Sequence, residues 1–224
     1  MLKKWTLILD FDSTIVRVES LDIFADIVLK SSQDHKTVFR EIKRLTNAGM
    51  TGKISFKESL QKRMKLLKGS RKEVLDLCDI LKQSITPSFF NNKDWLKLHR
   101  EKILIVSGGF REGILPIAEI LGLKIENVFA NNFLYSDSGN IIGIDQENML
   151  YRSKGKLELL KSLGISNKII IVGDGSTDAE VKELGEHVTF IAFTENIKRL
   201  PVIEKADIVS NRFDDVIHFI GALN

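Results

Sequence analysis

Short apolar runs recur along the chain, and amphipathic stretches separate them. Five of these runs are typical of strands buried on both faces of a parallel sheet; they are Trp5–Leu9, 102–106, 169–172, 188–193 and 207–209. Helical patterns lie between them, for example at 114–121, 154–163 and 178–184. Gly122 and Gly164 stand where helix C-caps are expected. This alternation predicts an α/β fold with a doubly wound, Rossmann-like parallel sheet.

Two segments interrupt the strand–helix rhythm. Residues 18–79 contain no convincing strand, and in 56–67 the residues Phe56, Leu60, Met64 and Leu67 share one helical face. We therefore expect a helical cap at 18–79, inserted into a discontinuous core formed by 1–17 and 80–224, and covering the ligand-binding edge of the sheet. Residues 132–144 carry the pattern of a small β-hairpin.

Composition excludes several classes of protein. The chain has 224 residues, 28% charged and with a net charge of +3, which predicts neither nucleic-acid nor membrane binding. Cys78 is the single cysteine, so a Cys-based zinc site and an intrachain disulfide are excluded. We expect no signal peptide, no membrane span, a cytoplasmic location, and a monomer or homodimer.

The end of the first apolar run carries two aspartates, Asp10 and Asp12. Alternate residues of a strand point to the same side, so the two carboxylates are expected to lie together. Adjacent carboxylates repel unless a cation or a proton separates them, which suits metal binding, acid–base work or nucleophilic catalysis. Taken alone, two aspartates in a solvated loop are the simpler interpretation.

Three later segments also follow predicted strands or open predicted helices. Ser107 and Gly108 suit an anion cradle at a helix N-terminus, although such a sequence is also an ordinary turn. Lys154 would offset charge on a phosphoryl group, but it could equally be a solvated lysine. Asp174 and Asp178 lie about one helical turn apart and indicate Mg²⁺, although both also suit a helix N-cap. Their shared place at the carboxyl ends of parallel strands favours one phosphoryl-transfer site.

These four segments, in this order, resemble the motifs of the haloacid dehalogenase superfamily of phosphohydrolases. Residues 10–14 match the first motif, Ser107 the second, Lys154 the third, and Gly173 to Gly175 with Asp178 the fourth. The resemblance implies a nucleophilic Asp10, an acid–base Asp12, and Mg²⁺ held by the set Asp10, Asp12, Asp174 and Asp178. Lys154, Ser107 and the Gly108 N–H would stabilise the phosphoryl oxygens.

Within the superfamily, the chain is most similar to the phosphoserine phosphatase family. Glu19 has the spacing of the carboxylate that family places on the substrate amine, and residues 50–63 resemble its cap segment. The resemblance implies that Met50 and Phe56 wall the pocket and that Arg63 grips the substrate carboxylate. Thr177 stands where many members have Asn, on the phosphate side of the substrate. Each of these residues could instead serve ordinary packing or solvation.

The resemblance implies Mg²⁺-dependent hydrolysis of the small phosphomonoester O-phospho-L-serine through an aspartyl-phosphate. Two alternatives inside the superfamily stay open: a phosphatase for another small metabolite, and a phosphotransferase that passes the group to an alcohol. A receiver-type signalling domain also carries an aspartate, Mg²⁺ and a lysine. Asp12 and the helical insert argue against it, because a receiver needs neither rapid turnover nor a cap.

Overall fold

A computed structural model describes residues 4–223 of the chain. Its centre is a six-stranded, wholly parallel sheet with the order β3-β2-β1-β6-β7-β8. The strands of this sheet are β1 (Trp5–Leu9), β2 (Ile103–Phe110), β3 (Val128–Asn131), β6 (Lys168–Gly173), β7 (Val188–Phe193) and β8 (Ile208–Ser210). Strands β4 (Phe133–Tyr135) and β5 (Ile141–Ile144) form a separate antiparallel hairpin. The predicted fold class is confirmed, and β3 is a strand that the apolar pattern did not reveal.

Both faces of the sheet are covered, which explains why its strands are apolar at consecutive positions. Leu7 and Leu9 pack into a core layer on one face, whereas Ile8 packs into a second layer on the other. Helices occupy both layers: α5 (Pro87–Asn91), α6 (Lys93–His99), α7 (Arg111–Ile120), α8 (Gly155–Ser162), α9 (Ser176–Ala179), α10 (Leu200–Ile203) and α11 (Phe213–Gly221).

Two helix ends follow the predicted glycine rule. Gly122 has a φ of 70° and follows α7, while Gly164 has a φ of 59° and follows α8. Residues with a side chain are strained in this left-handed region, and glycine is not. Each helix therefore stops where the chain must turn back toward the sheet.

Four α-helices lie between β1 and α5. They are α1 (Ser20–Leu29), α2 (His35–Met50), α3 (Phe56–Lys65) and α4 (Arg71–Lys82). Ser55 begins α3 by accepting a hydrogen bond from the Glu58 N–H, and Ser70 and Glu73 form a capping box at α4. No helix within residues 4–223 is long and apolar enough to cross a membrane.

The chain enters and leaves these four helices at one narrow neck. Val16 and Ile85 form an antiparallel bridge there. The N–H of Arg17 donates to the Ser84 carbonyl at 2.9 Å, and the N–H of Thr86 donates to the Ile15 carbonyl at 2.9 Å. The two crossing segments therefore lie side by side.

The hairpin fixes the connection between α3 and α4 to the core. The N–H of Arg71 donates to the Gly139 carbonyl at 3.0 Å, and the N–H of Ile141 donates to the Gly69 carbonyl at 2.8 Å. The ring of Phe24 in α1 packs on Phe133 in β4, with centroids 5.8 Å apart. One side of the helical insert is thus anchored to the hairpin.

Candidate active site

The candidate site lies at the carboxyl ends of three adjacent strands, β2, β1 and β6. Ser107 belongs to the end of β2, Asp10 directly follows β1, and Asp174 directly follows β6. Parallel strands bring these ends to one edge, and the helical insert covers it. The pocket is lined by Asp10, Asp12, Glu19, Leu21, Met50, Phe56, Leu60, Arg63, Ser107, Gly108, Gly109, Phe110, Lys156 and Thr177.

Asp10 is held by a tight turn at the end of β1. Its N–H donates to the Val172 carbonyl at 2.9 Å, so the residue is still registered on β6. Its Oδ1 accepts a 2.7 Å hydrogen bond from the Phe11 N–H. Ser13 has a φ of 52° within the turn, a conformation that costs a non-glycine residue free energy. The turn leaves Asp10 3% exposed as a whole residue, with its carboxylate inside the pocket.

Asp12 lies against the first turn of α1. Its Oδ1 accepts from the Ser20 N–H at 2.9 Å, and its Oδ2 accepts from the Ser20 Oγ at 3.0 Å. Burial raises the pKa of Asp12 well above its usual range, and the negative charges of Glu19 and Asp10 raise it further. A carboxyl with a raised pKa is suited to holding and releasing a proton near neutral pH.

The structure corrects the predicted position of the lysine. Lys154 is exposed, and its Nζ lies 2.8 Å from Oε1 of Glu183 on the surface. Lys156, two residues later in the first turn of α8, is 5% exposed and lines the pocket. Its Nζ lies 2.8 Å from Oδ1 of Asp10 and 2.6 Å from Oδ1 of Asp178. Lys156 therefore has the place that the sequence interpretation gave to Lys154.

Asp178 is wholly buried beneath Lys156. Its Oδ2 accepts from the Gly175 N–H at 3.0 Å, and a side chain at Gly173 would overlap its carboxylate. Burial raises the pKa of Asp178 to about 7, and Asp10 adds to the rise while Lys156 opposes it. Burial alone would lower the pKa of Lys156, but Asp10 and Asp178 together raise it above its usual range. Asp178 thus orients the ammonium group.

A second cation, which the sequence interpretation missed, lies on the other side of the site. Nη1 of Arg199 lies 2.6 Å from Oδ2 of Asp174, and Nη2 lies 3.0 Å from Oε1 of Glu19. Burial raises the pKa of Asp174 well above its usual range, and Arg199 opposes that rise. Arg199 follows β7, so its place near a strand end was the available signal.

The helical insert supplies the apolar wall of the pocket. Phe56 lies directly against Gly108, so closely that a Cβ on that glycine would overlap the ring. Met50 lies against Gly175, and Ser176 Oγ donates to the Gly49 carbonyl at 3.2 Å. The strand-end loops and the insert therefore meet directly over the aspartates.

The second predicted motif forms a compact loop. Ser107 is 1% exposed, and its Oγ accepts a 3.0 Å hydrogen bond from the Gly109 N–H. Asn131, at the end of β3, donates from Nδ2 to the Gly108 carbonyl at 2.9 Å. These bonds hold the Gly108 peptide at the pocket wall, and Thr177 lies on the same pocket.

The chain is similar to known proteins along nearly its whole length. A family model described as haloacid dehalogenase-like hydrolase matches residues 7–181. A phosphoserine phosphatase of Campylobacter jejuni subsp. doylei is 37% identical over 191 residues, covering 83% of this chain and 86% of that protein. The chain belongs to the haloacid dehalogenase-like hydrolases.

Two solved structures extend the likeness to the fold. A phosphoserine phosphohydrolase-like protein from Francisella tularensis subsp. tularensis is 31% identical, with a TM-score of 0.85, covering 96% of this chain and 99% of that one. A phospho-aspartyl intermediate analogue of phosphoserine phosphatase is 29% identical, with a TM-score of 0.78, covering 97% of this chain and 99% of that one. The fold of this haloacid dehalogenase-like hydrolase is thus shared with both.

Acidic side chains outnumber cationic side chains at the site of this hydrolase. Five acidic side chains at the site face three cations, Lys156, Arg199 and Arg63. An excess of buried carboxylate is costly unless a proton or a further cation offsets it. Oxygen donors without Cys or His suit Mg²⁺. The acidic set is Asp10, Asp12, Glu19, Asp174 and Asp178.

The structure places the predicted substrate-binding residues and the predicted metal-binding carboxylates differently. All of the predicted substrate-binding residues line the pocket: Glu19, Met50, Phe56, Arg63, Ser107, Gly108 and Thr177. Both carboxylate oxygens of Asp12 are engaged by Ser20, and both oxygens of Asp178 by Lys156 and the Gly175 N–H. Lys156 and the Phe11 N–H contact the same oxygen of Asp10, Oδ1, so Oδ2 of Asp10 is better placed for a cation. The chemical role of each residue stays a prediction.

Proposed function

We propose that this chain hydrolyses O-phospho-L-serine to L-serine and phosphate, with Mg²⁺ and through an aspartyl-phosphate on Asp10. The observation that carries the proposal is one pocket that holds Asp10, Glu19 and Arg63 together. Its relatives named phosphoserine phosphatase support the same substrate. The charges of the pocket are complementary to the three charged groups of that molecule.

Recognition of the amino-acid part depends on two side chains of opposite charge. Glu19 complements the substrate ammonium group. Arg63 complements the substrate carboxylate, because its guanidinium can donate two parallel hydrogen bonds. Met50 and Phe56 enclose the substrate and exclude water, which strengthens both interactions.

The first chemical step is in-line attack by a carboxylate oxygen of Asp10 on phosphorus. The new oxygen–phosphorus bond forms as the bond to the seryl oxygen breaks, and Asp12 gives its proton to that leaving oxygen. The relative solved as a phospho-aspartyl intermediate analogue supports an intermediate of this kind.

The second step reverses the role of Asp12. Its carboxylate takes a proton from water, and the oxygen of that water attacks phosphorus and displaces Asp10. Lys156 and the Gly108 N–H offset charge on the phosphoryl oxygens, and Ser107 donates from its hydroxyl. Asp178 keeps Lys156 in place throughout.

The donor set fits a magnesium ion. The carboxylates of Asp10 and Asp174 and the main-chain carbonyl of Asp12 would hold it. The ion supplies positive charge that stabilises the phosphoryl oxygens. Arg199 contacts Asp174 from the other side and keeps that carboxylate oriented.

The helical segment 18–79 acts as a cap in this proposal. Its contact between Phe56 and Gly108 closes the pocket, and separation of that contact would admit substrate and release serine. The core would then comprise 1–17 and 80–224. A cytoplasmic location and a monomeric or homodimeric state stay predictions.

The test is phosphate release from four phosphomonoesters, with Mg²⁺ and with EDTA. The panel contains L-phosphoserine, phosphothreonine, phosphoethanolamine and p-nitrophenyl phosphate. We expect metal-dependent turnover with the highest kcat/KM for L-phosphoserine. Asp10→Asn should abolish turnover with the fold intact, because an amide is a poor nucleophile.

Other outcomes of this assay distinguish the alternatives. Metal-dependent turnover of every ester except L-phosphoserine would keep the chemistry and discard the substrate. Phosphoryl transfer to an added alcohol that exceeds phosphate release would indicate a phosphotransferase. A lasting phospho-protein without turnover would indicate a receiver-type role.

A further inference from the structure

A buried polar chain runs through three helices of the insert and ends at the pocket. It consists of Asp22 in α1, Thr46 in α2 and Arg63 in α3, which are 7%, 3% and 6% exposed. The Thr46 hydroxyl donates to Oδ1 of Asp22 at 2.6 Å. Nη1 of Arg63 donates to Oγ1 of Thr46 at 3.2 Å. One hydroxyl therefore stands between a carboxylate and a guanidinium.

The single hydrogen of the Thr46 hydroxyl determines how Asp22 acts on Arg63. A threonine hydroxyl has one hydrogen to donate and lone pairs to accept. Because the hydrogen points to Asp22, a lone pair is directed toward Arg63. Without Asp22 the hydroxyl is free to rotate, and its hydrogen could then face the positive guanidinium.

Asp22 also places negative charge near Arg63 without forming a direct ion pair with it. Among residues 4–223, no carboxylate oxygen lies within 4.0 Å of its guanidinium nitrogens, although the side chain is buried and lines the pocket. Burial lowers the pKa of Arg63, and the negative charges of Glu19, Asp22 and Asp12 oppose that fall. The guanidinium is thus stabilised while it stays free to bind an anion.

Within residues 4–223, the protein engages Nε and Nη1 of the Arg63 guanidinium and leaves Nη2 available to an anion. Nε of Arg63 lies 3.4 Å from the Ser59 carbonyl, one turn earlier in α3, and Nη1 contacts Thr46. These contacts fix the plane of the group. A direct contact from Asp22 would instead compete with an incoming carboxylate for the same hydrogens.

We propose that Asp22 and Thr46 are positioning residues that make the pocket specific for substrates with a carboxylate. The inference rests on the proposed function, because it assumes that Arg63 binds the substrate carboxylate. Thr46 fixes the direction of the guanidinium, and Asp22 fixes the direction of the Thr46 hydroxyl. Neither residue lines the pocket that holds Asp10.

The test compares two substrates that differ in a carboxylate, L-phosphoserine and phosphoethanolamine. Thr46→Val removes the hydroxyl at nearly constant volume. We expect it to raise KM for L-phosphoserine about tenfold, with kcat little changed, which is the loss of one hydrogen bond to a charged group. The kcat/KM for phosphoethanolamine should stay within about twofold.

Two further variants separate positioning from packing. Thr46→Ser retains the hydroxyl and should restore KM for L-phosphoserine. Asp22→Ala removes the acceptor of the Thr46 hydroxyl and should also raise that KM selectively, and it tests the proposal if Thr46→Val does not fold. The midpoint of thermal unfolding identifies folded variants.

The inference is overturned if Thr46→Val raises KM for both substrates equally, if Thr46→Ser does not restore KM for L-phosphoserine, or if Asp22→Ala changes KM for neither substrate. The proposed function fails separately, before any variant is made, if the parent protein does not prefer L-phosphoserine to phosphoethanolamine. A parent that prefers L-phosphoserine and a Thr46→Val variant that retains that preference would overturn only the positioning role.

Discussion

Nζ of Lys156 lies 2.8 Å from Oδ1 of Asp10, and each of the two side chains is 5% exposed. A buried ion pair of this kind is costly to break, because the remaining charge is left without a partner. The lysine therefore stabilises the site, and its proposed chemical role can be tested alongside that structural one.

Two lysines on either side of Gly155 provide a matched pair of variants. Lys156→Met should lower kcat by about 10²–10³, because it removes a cation from the phosphoryl oxygens. It should also destabilise the fold by about 3–5 kcal/mol, because Asp10 and Asp178 lose their partner. Lys154→Met should leave kcat within about twofold. Steady-state kinetics and urea unfolding measure both effects, and equal losses of kcat in the two variants would refute the role of Lys156.

The backbone at Lys154 gives a prediction about stability. Its φ of 58° lies in the left-handed region, where a side chain is unfavourable. Lys154→Gly should therefore be more stable than Lys154→Ala by about 1 kcal/mol, since both variants lose the contact with Glu183 equally. Urea unfolding of the two variants measures the difference. A glycine variant no more stable than the alanine variant would contradict the strain.

The close contact between Phe56 and Gly108 predicts that a side chain at position 108 lowers activity. Gly108→Ala should lower kcat/KM for the best substrate more than about tenfold, because its methyl group displaces the ring from the pocket wall. Gly143→Ala is the control, since a Cβ there meets no atom within 4 Å. Kinetics at matched protein concentration compare them. Similar activity of the two variants would show that the Phe56 contact is not needed for turnover.

The burial of Glu112, which lies outside the candidate site, predicts that the stability of the protein depends on pH. Burial raises its pKa, and hydrogen bonds from Phe133 and Tyr135 and the charge of Arg71 oppose the rise. The Cys78 thiol donates to the main-chain carbonyl of Glu112, not to its carboxyl group. A carboxyl with a raised folded pKa loses stability as pH rises from about 4.3, its unfolded value, through the folded value. The Glu112→Gln variant does not lose stability in this way, because its amide does not titrate.

The free energy of unfolding of Glu112→Gln minus that of the parent protein should thus be larger at pH 7.5 than at pH 4.5, so the variant gains relative stability as pH rises. Any effect of the glutamine side chain on stability that does not depend on pH cancels when the two pH values are compared. Urea unfolding at the two pH values measures it. A relative stability that stays constant or falls with pH would show that Glu112 titrates normally.

Most of the correct sequence predictions come from one pattern, in which polar residues follow a buried parallel strand at its carboxyl end. A buried apolar run followed by a polar loop correctly located Asp10, Ser107 and Asp174 at one edge of the sheet. This pattern is local, because each strand needs only its own residues to be recognised. The strand Val128–Asn131 escaped it because its four residues are too few to show a period.

The lysine was misplaced for a different physical reason. Lys154 precedes α8, whereas Lys156 lies one turn before Leu160 on the buried face of that helix. The helical period would therefore have favoured Lys156, but the motif alone did not. Arg199 depends on contacts across 25 and 180 positions, to Asp174 and Glu19, which no local pattern encodes.

The neck between Val16 and Ile85 has a consequence for how such a protein can diverge. The two ends of the inserted segment are neighbours, so the path of the core is already complete in space without it. The entropy of closing the segment grows only slowly with its length. Lineages that share this sheet can therefore exchange, lengthen or shorten the inserted segment, and so acquire new specificities while the hydrolytic chemistry is inherited unchanged.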